Sequence, residues 1–243
     1  MSEKPPVPRK PGAVPTKPRS EAYEVEAFLA RARALQGGSG EGGRLILALD
    51  ATMSRQPTWD LACRLQGEMF DAAGQQPGRL SVQLVYFRGL GECKASRFVT
   101  DTGTLKDLMV RIDCRGGHTQ IGKVLAHALT ETARKKVNAV VFIGDAVEEE
   151  LDDLAEKAGR LGLHGVPVFV FQEGSDKAVE RAFREIARLS KGAWFRFDRD
   201  AAATLARLLS AIALFATGGR KALVARGRPE DQLLLENLRG HGT

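Results

Sequence analysis

The sequence is poor in cysteine and has no long apolar run. Its three cysteines, Cys63, Cys93 and Cys114, include no Cys-x-x-Cys pair. An odd, scattered set of thiols does not make a disulfide framework, and reduced thiols are typical of the cytoplasm. No segment approaches the ~18 apolar residues of a membrane span, and residues 1–20 lack the apolar core of a secretory signal. We therefore expect a cytoplasmic protein without a membrane span.

Net charge is also absent from most of the chain, although the whole carries +6. Residues 1–20 hold five basic side chains and one acidic one, and residues 217–243 hold five basic and three acidic ones. The positive excess therefore lies at the two ends. Residues 21–216 have no net field that would attract DNA or RNA, which argues against a nucleic-acid-binding core and leaves the role of the basic ends open.

Composition divides the chain into four segments. Six of the ten prolines fall in the first twenty residues, which predicts an extended, disordered tail over residues 1–19. Residues 20–43 predict a helix followed by the glycine-rich joint GGSGEGG. Residues 44–216 predict a folded domain whose last helix spans 200–216. Residues 217–243 form a basic extension whose leucines predict packing on the domain or on a second copy of the chain.

Strand-length apolar runs alternate with helical patterns throughout the domain. RLILALD (44–50) and NAVVFIG (138–144) are apolar on both faces, as expected for strands covered on both sides. KASRFVT (94–100) reads as the hairpin partner of LSVQLVYF (80–87). This order predicts an α/β, doubly wound, mostly parallel central sheet with one antiparallel edge strand and helices on both faces. Ligands of such sheets bind beyond the carboxyl ends of the strands, where the strand order reverses.

Five oxygen-bearing side chains follow or lie between the predicted strands at that edge. They are Asp50, Thr52, Ser54, Thr119 and Asp145. Two carboxylates and three hydroxyls form a hard-oxygen shell that suits Mg²⁺ or Mn²⁺ and suits zinc poorly. Two carboxylates that faced each other without a cation would repel. The sequence therefore predicts a divalent-cation site built from these residues.

Three motifs resemble one known family. DATMS (50–54) resembles the Asp-x-Ser-x-Ser opening of the metal-ion-dependent adhesion site (MIDAS) of von Willebrand factor A domains. GGHTQIG (116–122) resembles the Gly-Gly-x-Thr-x-Ile loop of that family, and VVFIGD (140–145) resembles its strand-ending aspartate. The resemblance covers about residues 44 to 216, including the order of strands and helices. It implies a Rossmann-like von Willebrand factor A domain of the bacterial, intracellular type.

The resemblance also implies roles for the five residues. Thr52, Ser54 and Thr119 would contact Mg²⁺, or alternatively Mn²⁺ or Ca²⁺, directly or nearly so, and Asp50 and Asp145 would act directly or through water. A carboxylate of a partner protein would fill an open coordination position. The domain would then be a protein-binding module and not an enzyme, working in a larger assembly. Thr52 departs from the pattern, because the family usually has serine there and a β-branched side chain has fewer rotamers.

Two other functions stay open. GHTQIGKV (117–124) matches the glycine and lysine positions of a phosphate-binding loop, but Val124 stands where that loop needs serine or threonine, and a short helix replaces the preceding strand. A metal-dependent hydrolase or nucleotide-binding enzyme at the same edge is one alternative. A metal-free scaffold, in which Thr52 has disrupted the site, is the other.

Helix capping is the structural alternative for the candidate ligands. Aspartate, serine and threonine are all favoured N-cap residues, and each of the five precedes a predicted helix. The acidic run at 148–153 is predicted to stabilise the positive end of its own helix. The same run could instead form an acidic rim that attracts cations or a basic partner.

Overall fold

A computed structural model of the chain describes residues 42–52, 59–61, 64, 80–197 and 202–226. The strands are β1 (Arg44–Asp50), β2 (Ser81–Arg88), β3 (Glu92–Val99), β4 (Ala139–Gly144), β5 (Val168–Glu173) and β6 (Ala193–Phe197). The helices with defined bounds are α1 (Thr102–Val110), α2 (Ile121–Arg134), α3 (Leu151–Leu163), α4 (Lys177–Leu189) and α5 (Ala202–Arg226). Residues 59–61 and 64 are also helical. The predicted tail, the first helix with its glycine-rich joint, Ser54 and the leucine cluster lie outside the described residues.

The six strands form one sheet in the order β3-β2-β1-β4-β5-β6. All neighbours are parallel except β3, which runs antiparallel to β2 at one edge. The predicted fold class is therefore confirmed. From β1 the chain moves outward to β2 and β3, and then returns to β4 on the other side of β1. The order reverses between these two strands, where Leu49 lies opposite Ile143.

Both faces of the sheet are covered by apolar side chains. Along β1, Leu45, Leu47 and Leu49 enter one core, which also holds residues of α1 and α5. Ile46 and Ala48 enter the other core, with residues of α2, α3 and α4. Successive side chains of a strand point to opposite faces, so a strand that lies between two helical layers must be apolar throughout. This explains the unbroken apolar runs in the sequence.

Helix α5 bends sharply near Gly218. In a straight helix, residues 210 and 226 would lie about 24 Å apart, yet the Arg226 guanidinium donates to Ser210 Oγ over 2.8 Å. A Cβ at Gly218 would come within 2.5 Å of Ala222 Cβ, so the bend needs a glycine there. The predicted helix end at residue 216 is wrong, because the glycine pair bends the helix without ending it. No helix in the described part of the chain is both long and apolar enough to cross a membrane.

Candidate functional site

Strand β1 ends at Asp50, and the chain turns immediately. Asp50 is only 3% exposed, and its Oδ1 accepts a hydrogen bond from the N–H of Thr52 over 2.8 Å. Such a side-chain-to-backbone bond is a usual way for aspartate to shape a turn. The N–H of Ala51 donates to Phe87 O at the end of β2 over 3.0 Å. The turn is therefore fixed to the sheet, with Asp50 and Thr52 at its carboxyl edge.

The loop that carries Thr119 is held against two neighbours. Its Arg115 N–H donates to Ala51 O over 3.0 Å, and its His118 N–H donates to Gly89 O over 3.1 Å. Between these bonds, Gly117 lies so close to the β2–β3 turn that a Cβ would meet the backbone of Gly89 at 2.2 Å. Only glycine fits at position 117. The second glycine of the Gly-Gly motif therefore lets the loop lie against the β2–β3 turn, and the Arg115 bond holds the loop beside the end of β1.

Thr119 is joined to the loop that follows β4. The N–H of Thr119 donates to Glu148 Oε2 over 2.8 Å, and the N–H of Glu148 donates to Thr119 Oγ1 over 3.0 Å. His118 Nδ1 also lies 3.1 Å from Glu148 Oε2. The Thr119 amide and then the His118 contact hold the pKa of Glu148 below its ordinary value. These bonds bring Thr119 to the loop that contains Asp145.

The next residue of that loop caps helix α2. Glu149 accepts from the N–H of Ile121 over 2.5 Å and from the N–H of Gly122 over 2.8 Å. The first turn of α2 has no acidic residue, and its N-cap Gln120 makes no side-chain capping bond. The first amides of a helix need acceptors from elsewhere when the helix has none of its own. The lack of a capping side chain at the start of α2 is the only sequence signal for the contact with Glu149.

The acidic run is therefore divided between two helices. Asp152 and Asp153 lie in the first turn of α3, as predicted. The same prediction is wrong for Glu148 and Glu149, whose carboxylates bond to the backbone at the start of α2.

Capping does not account for two of the candidate ligands. The N-cap of α2 is Gln120 and that of α3 is Glu150, so neither Thr119 nor Asp145 occupies an N-cap position. The side chain of Thr119 accepts from Glu148 and not from an α2 amide. Helix capping therefore does not explain why Thr119 and Asp145 lie at this edge.

The structure brings four predicted ligands to one sheet edge, and the fifth, Ser54, lies outside the described residues. Within the described ranges eight polar or charged residues are buried, and three of them are Asp50, Thr52 and Thr119. The donor set of carboxylate and hydroxyl oxygens fits a hard divalent cation. In the part of the chain that the structure describes, no three His, Cys, Asp or Glu side chains are grouped to hold a metal ion. The predicted site is of another type, because most of its ligands are hydroxyls.

No protein-family profile and no curated protein matches the chain in sequence. Solved structures do match it. An aerotolerance-related membrane protein from Bacteroides fragilis shares 22% identity over 71% of this chain and 98% of that chain, with a TM-score of 0.56. A von Willebrand factor type A structure from Catenulispora acidiphila shares 17% identity over 73% and 43% of the two chains, with a TM-score of 0.57.

A third match is proximal thread matrix protein 1 from the mussel byssus, described as having a zinc occupied MIDAS motif. It shares 14% identity over 75% of this chain and 46% of that chain, with a TM-score of 0.55. The strand order defines a doubly wound α/β domain, and buried polar side chains lie where that order reverses. The chain has, more particularly, the von Willebrand factor A fold, as its motifs predicted.

Proposed function

We propose that the chain is a divalent-cation-dependent protein-binding module. The observation that carries the proposal is the convergence of Asp50, Thr52, Thr119 and Asp145, which come from three separate segments, on the edge where the strand order reverses. Three of the four are buried, and their carboxylate and hydroxyl oxygens are of the ligand type that a hard divalent cation takes. A structural neighbour with the same fold carries a metal in its MIDAS motif, which supports a cation at the corresponding edge here.

The five side chains would have different roles in binding the cation. Thr52, Ser54 and Thr119 would supply hydroxyl oxygens, and Asp50 and Asp145 would supply negative charge, directly or through water. The ion is Mg²⁺ in this proposal, with Mn²⁺ and Ca²⁺ as alternatives. When bound, the cation would supply a position for a carboxylate of the partner protein. Glu148 would keep the Thr119 side chain in place through its N–H.

The proposal places the module in the cytoplasm, within a larger protein assembly. Its support is the small, scattered set of cysteines, which is typical of a reducing compartment. The central part of the chain has no net charge, so nucleic acid is not its proposed partner. Self-association through the leucines after residue 232 is a further proposal.

Metal-dependent stabilisation tests the site. The metal-free protein is unfolded by heat with and without millimolar Mg²⁺, Mn²⁺ or Ca²⁺, alongside Asp50→Asn. An ion at 100 times its Kd stabilises the folded state by about 2.7 kcal/mol, which corresponds to a Tm rise of about 5–10 °C for a domain of this size. Asp50→Asn should abolish the rise. Asp101→Asn is the matched control. Asp101 caps α1 by accepting from the N–H of Thr104, and it is not one of the five candidate ligands.

Either of two results would refute the metal site. One is a wild-type Tm that none of the three ions raises. The other is an equal rise in wild type and in Asp50→Asn.

One observation favours the hydrolase alternative. His118 Nδ1 lies 3.1 Å from a carboxylate oxygen of Glu148, and the His118 side chain is 66% exposed. A histidine that is oriented by a carboxylate beside a cation could act as a general base. Hydrolysis of p-nitrophenyl phosphate with Mg²⁺ or Mn²⁺, lost in both Asp50→Asn and His118→Ala, would establish an enzyme. No turnover by wild type, together with metal-dependent stabilisation, would favour the binding module.

A further inference from the structure

The turn between β2 and β3 presents a leucine to solvent. Leu90 is 87% exposed, which is the largest value among the large apolar side chains of the described residues. A single exposed leucine needs no explanation. This one is unusual in the rigidity of the backbone that carries it and in its position beside the candidate cation site.

Both neighbours of Leu90 are fixed by hydrogen bonds, one to the loop before α2 and one to the first turn of α2. Gly89 O accepts from the N–H of His118 over 3.1 Å, and Gly91 O accepts from Lys123 Nζ over 2.9 Å. The φ of Gly89 is +62°, in the left-handed region that favours glycine. The turn is therefore held from both sides, and little ordering of the backbone would be needed when Leu90 contacts a partner.

An ion pair closes the base of the same turn. Arg88 Nε donates to Glu92 Oε2 over 3.0 Å, and Arg88 also donates to Asp113 O over 2.5 Å. The second bond joins the turn to the loop that carries Thr119. The β2–β3 turn and the cation-site loop thus form one connected surface.

Leu90 belongs to the edge of the sheet that holds the candidate site. Gly89, the residue before it, is in backbone contact with Gly117, and Gly117 is two residues before Thr119. Leu151, at the start of α3, is 40% exposed and follows the loop that leaves β4 at this edge. Leu163 is 85% exposed but lies at the far end of α3, away from this edge.

We propose that Leu90 is a partner-contacting residue, and that the partner segment carries a bulky apolar side chain next to the acidic side chain that binds the cation. This inference rests on the proposed function and deepens it. The cation and the exposed Arg115 of the adjoining loop complement the acidic side chain. Leu90 packs against the apolar side chain of the partner, because removing apolar surface from water is favourable.

A peptide selection tests both parts. Short peptides with a fixed central aspartate and randomised flanking positions are displayed on beads and incubated with the full chain, in millimolar Mg²⁺ or in a chelator. Leu90→Ser is the test variant. Leu163→Ser is the matched control, since its leucine is equally exposed but lies at the far end of α3. Unchanged Tm values and an unchanged Tm rise with Mg²⁺ in Leu90→Ser would show that its fold and cation site are intact.

The expected result is that wild type and Leu163→Ser select bulky apolar residues beside the aspartate, only in Mg²⁺. Leu90→Ser should lose this preference and bind the selected peptide about tenfold more weakly. An aspartate peptide flanked by glycines should bind all three proteins equally.

Three results would overturn the inference, and they separate a failure of Leu90 from a failure of the cation site. If Leu90→Ser keeps the apolar preference, or if wild type retains aspartate peptides in Mg²⁺ without any such preference, Leu90 is not a contact residue and the cation site survives. If no peptide with aspartate is retained better in Mg²⁺ than in the chelator, the proposed function fails and the role of Leu90 fails with it.

Discussion

Glu149 supplies acceptors to two helix amides that lie 27 and 28 residues before it in the chain. Its two carboxylate oxygens accept from the N–H groups of Ile121 and Gly122. We expect Glu149→Ala to lower the free energy of unfolding by about 1–2 kcal/mol, because N-terminal amides lose their acceptors and the helix dipole loses a negative charge. Urea unfolding measures the change.

Glu150→Ala is the matched control for this variant. Glu150 is exposed and stands at the N-cap of α3, but its side chain makes no capping bond there. Its effect should stay within about 0.5 kcal/mol. Equal effects of the two substitutions would contradict the assignment of Glu149 as the external cap of α2.

The neighbouring Glu148 makes stability depend on pH. Its bonds to the Thr119 amide and to His118 lower the pKa of its carboxyl below the ordinary 4.5, so the ionised form is favoured in the folded state. The contribution of Glu148 to the free energy of unfolding is therefore complete above the ordinary pKa. It is lost as the pH falls through the lower pKa of the folded state. The side chain is 47% exposed, so solvent screening keeps the contribution small.

The test is to compare wild type with Glu148→Gln between about pH 7 and about pH 3. Wild type should be the more stable protein at the higher pH, and the difference in unfolding free energy should shrink at the lower one. A difference that is independent of pH would show that Glu148 does not act through its charge.

At the scale of elements, the Gly-Gly loop gives the sharpest test. In Gly117→Ala, the new Cβ would meet the backbone of Gly89 at 2.2 Å. We expect a loss of about 1–3 kcal/mol, as in other overpacked sites, and a weaker Tm rise with Mg²⁺, because the loop that carries Thr119 must move.

Gly116→Ala provides the control from the adjacent residue. A Cβ there would meet nothing within 4 Å, so stability should change by less than about 0.5 kcal/mol, and the Tm rise should persist. Thermal unfolding of both variants with and without Mg²⁺ measures the pair. Similar losses in both variants would mean that the close approach to Gly89 is unimportant.

Sequence alone predicted the elements whose patterns are local. Strands β1 and β4 are predictable because both of their faces are apolar. Asp50 and Asp145 are assigned to one edge because parallel strands end together, and Thr119 because it lies at the start of a helix that leaves the same edge. The external cap by Glu149 was missed, since nothing local distinguishes a glutamate that serves its own helix from one that serves another. The end of α5 was misplaced because a glycine pair is equally typical of a bend and of a stop. The metal-ligand roles of all five candidate residues stay predictions, and Ser54 lies outside the described residues.

At the scale of the whole molecule, the sheet separates two cores of similar character. Ile186 of α4 is buried in one core and Ile212 of α5 in the other. Each Ile→Val substitution should cost about 0.5–1.5 kcal/mol. Because the sheet lies between them, the double variant should lose the sum of the two to within about 0.5 kcal/mol. Urea unfolding of the three variants measures this, and a clear departure from additivity would show that the cores are coupled through the sheet.

The capping of α2 from outside also has a consequence in time. Its first amides, Ile121 and Gly122, are protected by a glutamate that a ribosome adds well after the helix itself. Their protection against hydrogen exchange should therefore appear only when the β4–α3 loop closes, late in folding. In the folded protein the protection of these amides should measure the free energy of opening that loop. The amides at the start of α2 thus report on the opening of the β4–α3 loop, which borders the candidate site.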